Sequence, residues 1–333
     1  MTRRFGIAVL LVAAIAVVAA ARFAGPWLHE AAPGDGTVAT FAVRPGEPFG
    51  SMAARLESEK LIVSALRLRI LARLSDGADR RVRAGTYELV RGTPPDSLLA
   101  QFVEGRVRLL RFVVPEGHRI DQIAALAEAA LGFPAASFRE AASDSALRAR
   151  LECPVSSVEG YLFPETYFFP DGVDAVAVVV ALTERFEDTW VGLRGDPPAG
   201  MNRHDVVTLA SIVEAETGVP EERPRVAAVY LNRLREGWKL EADPTVRYGL
   251  GQFSGRLYYK HLDIETPYNT YRVAGLPPGP IGSPGRHALQ AVLEPLEPCD
   301  DFFFVASGDG GHVFSPTKTA HDRAVAEYRR RLR

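Results

Sequence analysis

The sequence predicts an α+β protein in three parts: an N-terminal transmembrane helix, a small α+β module and a larger α+β domain. Three observations predict this organisation. A long apolar run opens the chain, and short strand-like segments then alternate with amphipathic helical segments over 41–152. Beyond about Glu152, longer helical segments alternate with Pro- and Gly-rich stretches and are followed by a hairpin signal. At 333 residues, the chain is long enough for two domains.

The start of the chain predicts a membrane anchor. An arginine pair precedes an unbroken apolar stretch from Phe5 to Ala21, and Arg22 can direct its charged end to the interface. A spanning helix needs about 20 apolar residues. Residues 5–24 are therefore predicted to cross the cytoplasmic membrane, with residues 1–4 inside the cell and the rest outside. The alternative is a cleaved signal peptide that ends near a run of three alanines, and both interpretations export the domain.

The composition argues against nucleic acid as a partner, and the cysteine content leaves open whether a disulfide forms. The formal net charge of -2 provides no bulk attraction to nucleic acid. The two cysteines, Cys153 and Cys299, either form a disulfide in an oxidising compartment or remain buried thiols. Their spacing indicates no metal site, and we expect neither a metal nor a cofactor.

Residues 41–111 predict the small module, which follows a linker at 25–40 rich in Gly, Pro and Ala. A weak internal repeat aligns "FAVRPGEPFGSMAARL" from Phe41 with "FVVPEGHRIDQIAALA" from Phe112, and each copy predicts a strand, a glycine turn and a helix. The first copy continues through a helix in "LIVSALRLRILARL" to a strand in "RAGTYELV". This strand–helix–helix–strand order resembles LysM modules, which hold the N-acetylated sugars of peptidoglycan and chitin. A structural spacer is the alternative.

Residues 112–152 predict a connecting strand–helix segment, and residues 153–333 predict the larger domain. The stretch "VEGYLFPETYFFPDG" is dense in aromatics and prolines, which favours an ordered, extended segment. Helices are predicted over 174–193 and in "RHDVVTLASIVEAET", "RPRVAAVYLNRLREG" and "AHDRAVAEYRRRLR". The segments "DFFFVAS" and "HVFS" flank "GDGG" and predict a hairpin.

One of these helices carries two glutamates, Glu214 and Glu216, in different surroundings. Residues three, four and seven positions earlier share a face with a given helical residue. For Glu214 these neighbours are small or polar, whereas for Glu216 they are all aliphatic: Val213, Ile212 and Leu209. Because two residues turn a helix by about 200°, the two side chains cannot point into one cleft.

The aliphatic face makes Glu216 a predicted general acid. Burial disfavours the carboxylate and raises its pKa, and the helix C-terminus adds a smaller effect if Gly218 is the C′ residue. A carboxyl group that stays protonated near neutral pH can protonate a leaving-group oxygen. The alternative is an ordinary ion pair with Arg223 or Arg225 in the next helix.

A series of motifs resembles the MltG-type (YceG-like) endolytic peptidoglycan transglycosylases. They occur in family order over about 160–320: "EGYLFPETY", "LASIVEAETGVPEERPRVAAVYLNRL", "LEADPTVRYGLG", "TPYNTYRVAGLPPGPIGSPG" and "GGHVFS". The sequence departs from the family at Ser283, where Asn is frequent, and at Asp322, where an "HN" pair is usual. In the family the second glutamate of E-x-E-T is catalytic, and it falls on Glu216.

The resemblance implies non-hydrolytic cleavage of the β-1,4 bond between N-acetylmuramic acid and N-acetylglucosamine, with 1,6-anhydro products. It also implies glycan strands as substrate and cell-wall synthases as partners. The residues predicted to line the cleft and bind substrate are Asn232, Asp243, Thr245, Tyr248, Tyr268, Asn269, Thr270, Tyr271 and His312.

Three other functions remain open at this point. A hydrolytic muramidase would need a second carboxylate, for which Glu165, Asp243 and Glu265 are available. A membrane-anchored glycan-binding scaffold would need no catalyst. A metalloenzyme is disfavoured, because His312, His321 and Asp322 do not form a recognised ligand spacing.

Overall fold

The computed structural model describes residues 25–331, which form two compact units. The first unit contains the chain up to Leu110 together with Phe169–Gly172, and the second contains Arg111–Phe168 and the chain from Val173 onward. The predicted membrane span at 5–24 lies outside the described residues. Within residues 25–331, none of the helices is long and apolar enough to cross a bilayer.

The strands are short and pair in twos, while helices make up most of the second unit. The sheets pair β1 with β2, β3 with β4 and β5 with β6. The strands are β1 (Val38–Val43), β2 (Gly85–Val90), β3 (Leu109–Val113), β4 (Thr166–Pro170), β5 (Phe303–Ala306) and β6 (His312–Ser315). The helices are α1 (Phe49–Ser58), α2 (Ala65–Leu74), α3 (Pro95–Glu104), α4 (Ile120–Leu131), α5 (Ala135–Ala142), α6 (Ser145–Arg150), α7 (Ala175–Val191), α8 (Arg203–Glu216), α9 (Arg223–Arg235), α10 (Asp243–Leu250), α11 (Tyr259–Leu262), α12 (Arg286–Leu293) and α13 (Lys318–Arg331). The mixed α+β class is as predicted.

The first unit contains the predicted strand–helix–helix–strand order as β1, α1, α2 and β2. The two strands are antiparallel and in register from Val38 opposite Val90 to Val43 opposite Gly85. Alternate residues of β1 face inward, as a strand with one buried face requires. Phe41 of β1 and Tyr87 of β2 both pack on Phe102 of α3.

Part of the predicted linker at 25–40 is packed. Leu28 and Ala32 are buried, and the Arg67 guanidinium lies 4.5 Å from the Trp27 ring centroid. The strand β1 also begins at Val38, inside the predicted linker. Trp27 and Leu28 supply the apolar surface for this packing, which the overall Gly, Pro and Ala content of the segment does not indicate.

The internal repeat corresponds to two similar pieces of structure. Gly46 and Gly117 occupy equivalent turns, and each has a φ of 71°, in the left-handed region that favours glycine. Ala53 in α1 and Ala124 in α4 are both fully buried. Each copy therefore forms the predicted strand, turn and helix. The segment 112–152 lies in the second unit together with most of 153–333.

The second unit is built around α8, which is buried along most of its length. The side chain of Asn202 accepts a hydrogen bond from the backbone N–H of Asp205, and the Asp205 carboxylate accepts one from Asn202 in return. This reciprocal capping box begins the helix. Helices α9, α10 and α12 pack against α8, so its last turn lies among them.

The Pro- and Gly-rich loop 276–285 is fixed to one face of α8. Three side chains of α8 bond its backbone: His204 Nε2 donates to the Pro278 carbonyl at 3.0 Å, Ser211 Oγ accepts from Ile281 at 3.0 Å, and Glu214 accepts from Gly285 at 3.0 Å. His204 also accepts from the Tyr161 hydroxyl through Nδ1. The loop is a scaffold, in agreement with its rigid composition.

The aromatic-rich segment and the hairpin agree with the patterns that predicted them. The segment from 158 to 165 is irregular and leads into β4, and Tyr161, Leu162 and Phe163 within it are buried. The strands β5 and β6 form the predicted hairpin. Cys153 and Cys299 are both unpaired, and Cys153 is buried, so the structure contains two thiols.

Candidate active site

Glu216 is the last residue of α8, and its side chain is partly exposed at the end of an aliphatic face. Leu209, Ile212 and Val213, which precede it on that face, are fully buried. The residue is therefore half-buried at the edge of dense, apolar surroundings. This combination is what a general acid that meets a substrate requires.

The end of α8 differs from the prediction at Gly218. The residue that caps the helix is Thr217, whose backbone is extended with φ of -131° and ψ of 127°. Gly218 does not adopt the left-handed conformation, so it is not a C′ glycine. The Thr217 hydroxyl instead hydrogen-bonds toward Val219 and Glu222 in the connection to α9, and this local bonding turns the chain.

The surroundings of Glu216 hold its carboxyl group protonated near neutral pH. Burial raises the pKa of Glu216 to about 7, and the charge of Asp243 acts in the same direction. The Tyr230 hydroxyl of α9 donates to Glu216 Oε1 at 2.8 Å and opposes this increase, as does the charge of Arg233. Burial outweighs both opposing effects.

No ion pair joins Glu216 to a basic side chain anywhere in residues 25–331. Arg223 instead pairs with Glu214, and Arg225 pairs with Asp301 at 2.7 Å. The Arg223–Glu214 pair is buried, with Nη2 and Oε1 2.6 Å apart. The ordinary ion pair considered for Glu216 is therefore absent from the described residues, and the two glutamates of α8 serve different purposes.

Of the residues predicted to bind substrate, Asp243 and Tyr271 interact electrostatically with Glu216. The Tyr271 hydroxyl donates to Asp243 Oδ1 at 2.8 Å, the charge of Asp243 raises the pKa of Glu216, and the charge of Glu216 raises the pKa of Tyr271. Burial and Asp243 together raise the pKa of the Tyr271 hydroxyl well above its usual value. Tyr271 therefore remains a neutral hydrogen-bonding group.

Three other predicted residues form a buried network beneath this pair. Thr245 and Thr270 share a hydrogen bond of 2.8 Å between their hydroxyls, and Thr270 also accepts from Ala242. The amide group of Asn269 donates to the carbonyls of Leu262 and Ile264. These side chains are almost completely buried and hold the backbone that carries Asp243 and Tyr271.

Asn232 and His312 are both bonded to neighbouring parts of the protein. Asn232 is buried on α9, and its amide group donates to the carbonyls of Cys299 and Asp301. His312 contacts Glu222 through Nδ1 at 2.7 Å, and its ring packs edge-on against Phe304. Since Phe304 also packs on Tyr230, His312 reaches the Glu216 environment through one intervening ring.

Tyr248 and Tyr268 surround a second buried acid, Glu159. Its side chain is only 6% exposed and accepts hydrogen bonds from the backbone N–H of Ile120 at 3.0 Å and from the Tyr248 hydroxyl at 3.3 Å. Burial raises the pKa of Glu159 to about 7, against the effect of these donors and of Arg119. The Tyr248 and Tyr268 rings lie 4.7 Å apart.

Sequence reasoning did not single out Tyr230, Arg233 or Glu159, although all three lie in the quoted motifs or beside them. Tyr230 is 14 residues from its partner Glu216, and Glu159 is 39 residues from its partner Ile120. No local periodicity connects such pairs. A tyrosine on the inward face of the helix after the acid is the only local signal that could have indicated Tyr230.

The other carboxylates considered at the sequence level lie in different surroundings. Glu165 forms an ion pair with Arg185, and the side chain of Glu265 is 91% exposed. Asp243 is the one of the three whose charge acts on Glu216. Across residues 25–331, no three His, Cys, Asp or Glu side chains are grouped so that they could hold a metal ion.

Comparison with known proteins shows the family of the chain. The YceG-like family matches residues 41–327. The endolytic murein transglycosylase of Bacillus subtilis (strain 168) is 30% identical over 268 residues, which cover 74% of this chain and 73% of that protein. The endolytic murein transglycosylase of Streptococcus pneumoniae serotype 2 is 24% identical, and the alignment covers 87% of this chain but 58% of the pneumococcal protein.

A solved structure extends the comparison to the fold. The crystal structure of a yceG-like protein from Listeria monocytogenes superposes with a TM-score of 0.57 at 29% sequence identity, covering 87% of this chain and 99% of the other. The family match spans both units and includes Glu216, Tyr230, Asp243 and Tyr271. The chain belongs to the YceG-like family.

Proposed function

We propose that this protein is an endolytic peptidoglycan lytic transglycosylase in which Glu216 is the single catalytic acid and base. The observation that carries the proposal is Glu216 itself: a half-buried glutamate on an aliphatic helix face, with a pKa of about 7 and no ion-pair partner among residues 25–331. The names of the Bacillus and pneumococcal relatives, endolytic murein transglycosylases, support the same reaction.

The first step uses Glu216 as an acid. The protonated carboxyl group donates its proton to the oxygen that bridges C1 of N-acetylmuramic acid and C4 of N-acetylglucosamine, and the C1–O bond breaks. Tyr230 donates to Oε1 at 2.8 Å, so this bond stabilises the carboxylate that forms. The low-dielectric surroundings keep the proton on Glu216 until the leaving oxygen accepts it.

The second step uses the same carboxylate as a base. The C6 hydroxyl of the muramoyl unit attacks C1 and forms the C1–O6 bond of a 1,6-anhydro ring, while Glu216 accepts the hydroxyl proton. The carboxyl group returns to its starting state, and no water is consumed. One carboxyl group suffices because the nucleophile belongs to the substrate.

We also propose that the protein is anchored in the cytoplasmic membrane by residues 5–24, with both units outside the cytoplasm. The arginine pair before the apolar run supports this orientation. The paired strands and two helices of the first unit support a LysM-like glycan-binding role. Such a protein would cut nascent strands beside the cell-wall synthases. Carbonate-washed membranes should retain the full-length chain and release a variant that lacks 1–24.

A hydrolytic muramidase is the second candidate, and Asp243 is the observation that favours it. Its exposed carboxylate interacts with Glu216, and hydrolysis with inversion or retention uses two carboxyl groups. Mass spectrometry of the products separates the reactions, because anhydro ends and reducing ends differ by one water. Transglycosylation predicts anhydro ends from the full-length protein.

The substitution Glu216→Gln tests the role of the proposed catalyst. It preserves shape and removes the titrating proton, so the folded state should persist while turnover falls by about 10²–10⁴-fold. Glu221→Gln is a matched control, because Glu221 is an exposed glutamate five positions away and should leave turnover unchanged. Wild-type product formation by the Glu216→Gln variant would refute the assignment.

A further inference from the structure

A cavity beside the catalytic residues is not used by the mechanism above. Its volume is about 290 Å³, near the lower end of the range of about 300–1,000 Å³ found for small-molecule sites. Its walls come from the loop between α10 and α11 and from the start of α11: Arg256, Leu257, Tyr258, Tyr259 and Leu262. Its size suits one sugar ring with its substituents rather than a whole strand.

Asp243 and Tyr271 complete the lining and connect the cavity to Glu216. The Tyr271 hydroxyl donates to Asp243 at 2.8 Å, and the charge of Asp243 raises the pKa of Glu216. Tyr271 also interacts with Tyr230, which bonds Glu216 directly. A sugar bound in the cavity would therefore lie next to the glycosidic bond whose oxygen Glu216 protonates.

The outer wall of the cavity presents aromatic rings to solvent. Tyr259 is 83% exposed and Tyr258 is 54% exposed. No other aromatic ring in residues 25–331 packs against Tyr259, whereas Tyr258 contacts the ring of His261 at 5.6 Å between centroids. A tyrosine ring offers an apolar face and a polar end, which suits the C–H groups and hydroxyls of a sugar ring.

Arg256 gives the cavity an unpaired positive charge. Its guanidinium lies 5.9 Å from the Tyr258 ring centroid and is exposed, and in the described residues no carboxylate pairs with it. The only acidic residue in the lining, Asp243, already accepts the Tyr271 hydroxyl. Guanidinium groups bind carboxylates with two parallel hydrogen bonds, so Arg256 favours an anionic ligand.

We propose that this cavity is a saccharide subsite next to the cleaved bond, in which Tyr258 and Tyr259 stack on a sugar ring and Arg256 binds a carboxylate of the peptide attached to the strand. The proposal rests on the proposed function, since peptidoglycan is the glycan whose sugars carry peptides with free carboxylates. It makes Arg256 a determinant of preference for peptide-bearing strands over bare glycan.

Binding measurements on the full-length Glu216→Gln variant test this subsite without interference from cleavage. Two probes are compared: glycan strands that retain their peptides, and the same strands after an amidase has removed them. Adding Arg256→Gln should weaken binding of the peptide-bearing strands about tenfold and leave binding of bare strands unchanged. Arg139→Gln is the control, because Arg139 is an exposed arginine paired with Asp121.

Tyr259 supplies the second arm of the experiment. Tyr259→Ala should weaken binding of both probes about tenfold, whereas Tyr259→Phe retains the ring and should bind within twofold of the parent. Two results would overturn the carboxylate assignment. In the first, Arg256→Gln binds each probe as tightly as its parent does. In the second, Arg256→Gln weakens binding of the peptide-bearing and the bare strands by the same factor. An unchanged Tyr259→Ala variant would overturn the stacking assignment. These binding results test only the subsite, because no cleavage takes place in the assay. The proposed function has a separate test: wild-type product formation by Glu216→Gln would refute it.

Discussion

The Tyr230 hydroxyl donates a hydrogen bond to Glu216 Oε1 at 2.8 Å, joining the end of α8 to the middle of α9. The Tyr230 ring is buried and packs edge-on against Phe304 at 5.7 Å, so its position is fixed by packing. A donor of this kind favours the charged carboxylate. Tyr230 therefore limits how far burial raises the pKa of Glu216.

Tyr230→Phe should raise the pKa of Glu216, because it removes a donor to the carboxylate and keeps the ring. The basic limb of the kcat/KM profile should move to higher pH, since the proton stays on Glu216 longer. The loss of one buried hydrogen bond should lower the free energy of unfolding by about 1 kcal/mol. Kinetic measurements between pH 5 and 9 check this shift, and a limb that moves to lower pH would contradict the assignment.

Asp243→Asn should have the opposite effect on the same limb. The Asp243 charge raises the pKa of Glu216, and the amide removes this charge while its oxygen still accepts from Tyr271. The basic limb should therefore move to lower pH. The same series of assays compares this variant with Tyr230→Phe, and shifts of the two variants in the same direction would show that the electrostatic description is wrong.

Glu214→Gln should reduce stability rather than catalysis. Glu214 is the buried partner of Arg223, and loss of one partner leaves a buried charge without full compensation. The free energy of unfolding, measured in urea, should fall by about 3 kcal/mol. Turnover per folded molecule should remain within a few-fold of wild type. A Glu214→Gln variant with normal stability and no turnover would contradict this prediction, because it would make Glu214 rather than Glu216 the catalytic residue.

Glu159→Gln should change how stability depends on pH. The folded protein keeps the Glu159 proton up to about pH 7, whereas an unfolded chain releases it near pH 4.5. Between these values the folded state binds more protons, so the free energy of unfolding falls as pH rises. The loss attributable to this group is about 3 kcal/mol and is complete above pH 7.

The Gln variant does not titrate and should lose this part of the slope. Urea unfolding at pH 5 and pH 8 measures it, and the difference between the two pH values should be smaller by about 3 kcal/mol in Glu159→Gln than in wild type. The raised pKa of Glu216 changes the free energy of unfolding with pH in the same direction. Wild type, Glu159→Gln and Glu216→Gln should therefore be measured together. An unchanged slope would mean that Glu159 ionises normally in the folded protein.

Local pattern was sufficient to predict the helices that contain Glu216 and Tyr230, the hairpin and the surroundings of Glu216, but not the helices Asp243–Leu250 and Arg286–Leu293. The aliphatic face is set by residues within seven positions of Glu216, so helical periodicity alone identifies it. The two repeat turns were also predictable, since Gly46 and Gly117 mark the same left-handed conformation. These features depend on short stretches of chain.

Features that depend on how distant segments meet could not be predicted in this way. The Tyr230–Glu216 bond depends on the connection from Thr217 to Glu222, whose course is set by side-chain bonds rather than by Gly218. Glu159 is buried because it bonds the start of α4, 39 residues earlier. Asn232, Thr245 and Asn269 carry polar groups that suit a glycan, yet their hydrogen bonds go to the protein backbone.

Titration of Glu216 itself tests the central claim most directly. Carboxyl carbon NMR of the full-length protein labelled at glutamate, compared with Glu216→Gln, identifies the resonance of this group and follows it from pH 4 to pH 9. The structure predicts that the signal assigned to Glu216 titrates with an apparent pKa of about 7. A midpoint near 4.5, the ordinary value for glutamate, would contradict the proposal that Glu216 carries the proton for bond cleavage near neutral pH.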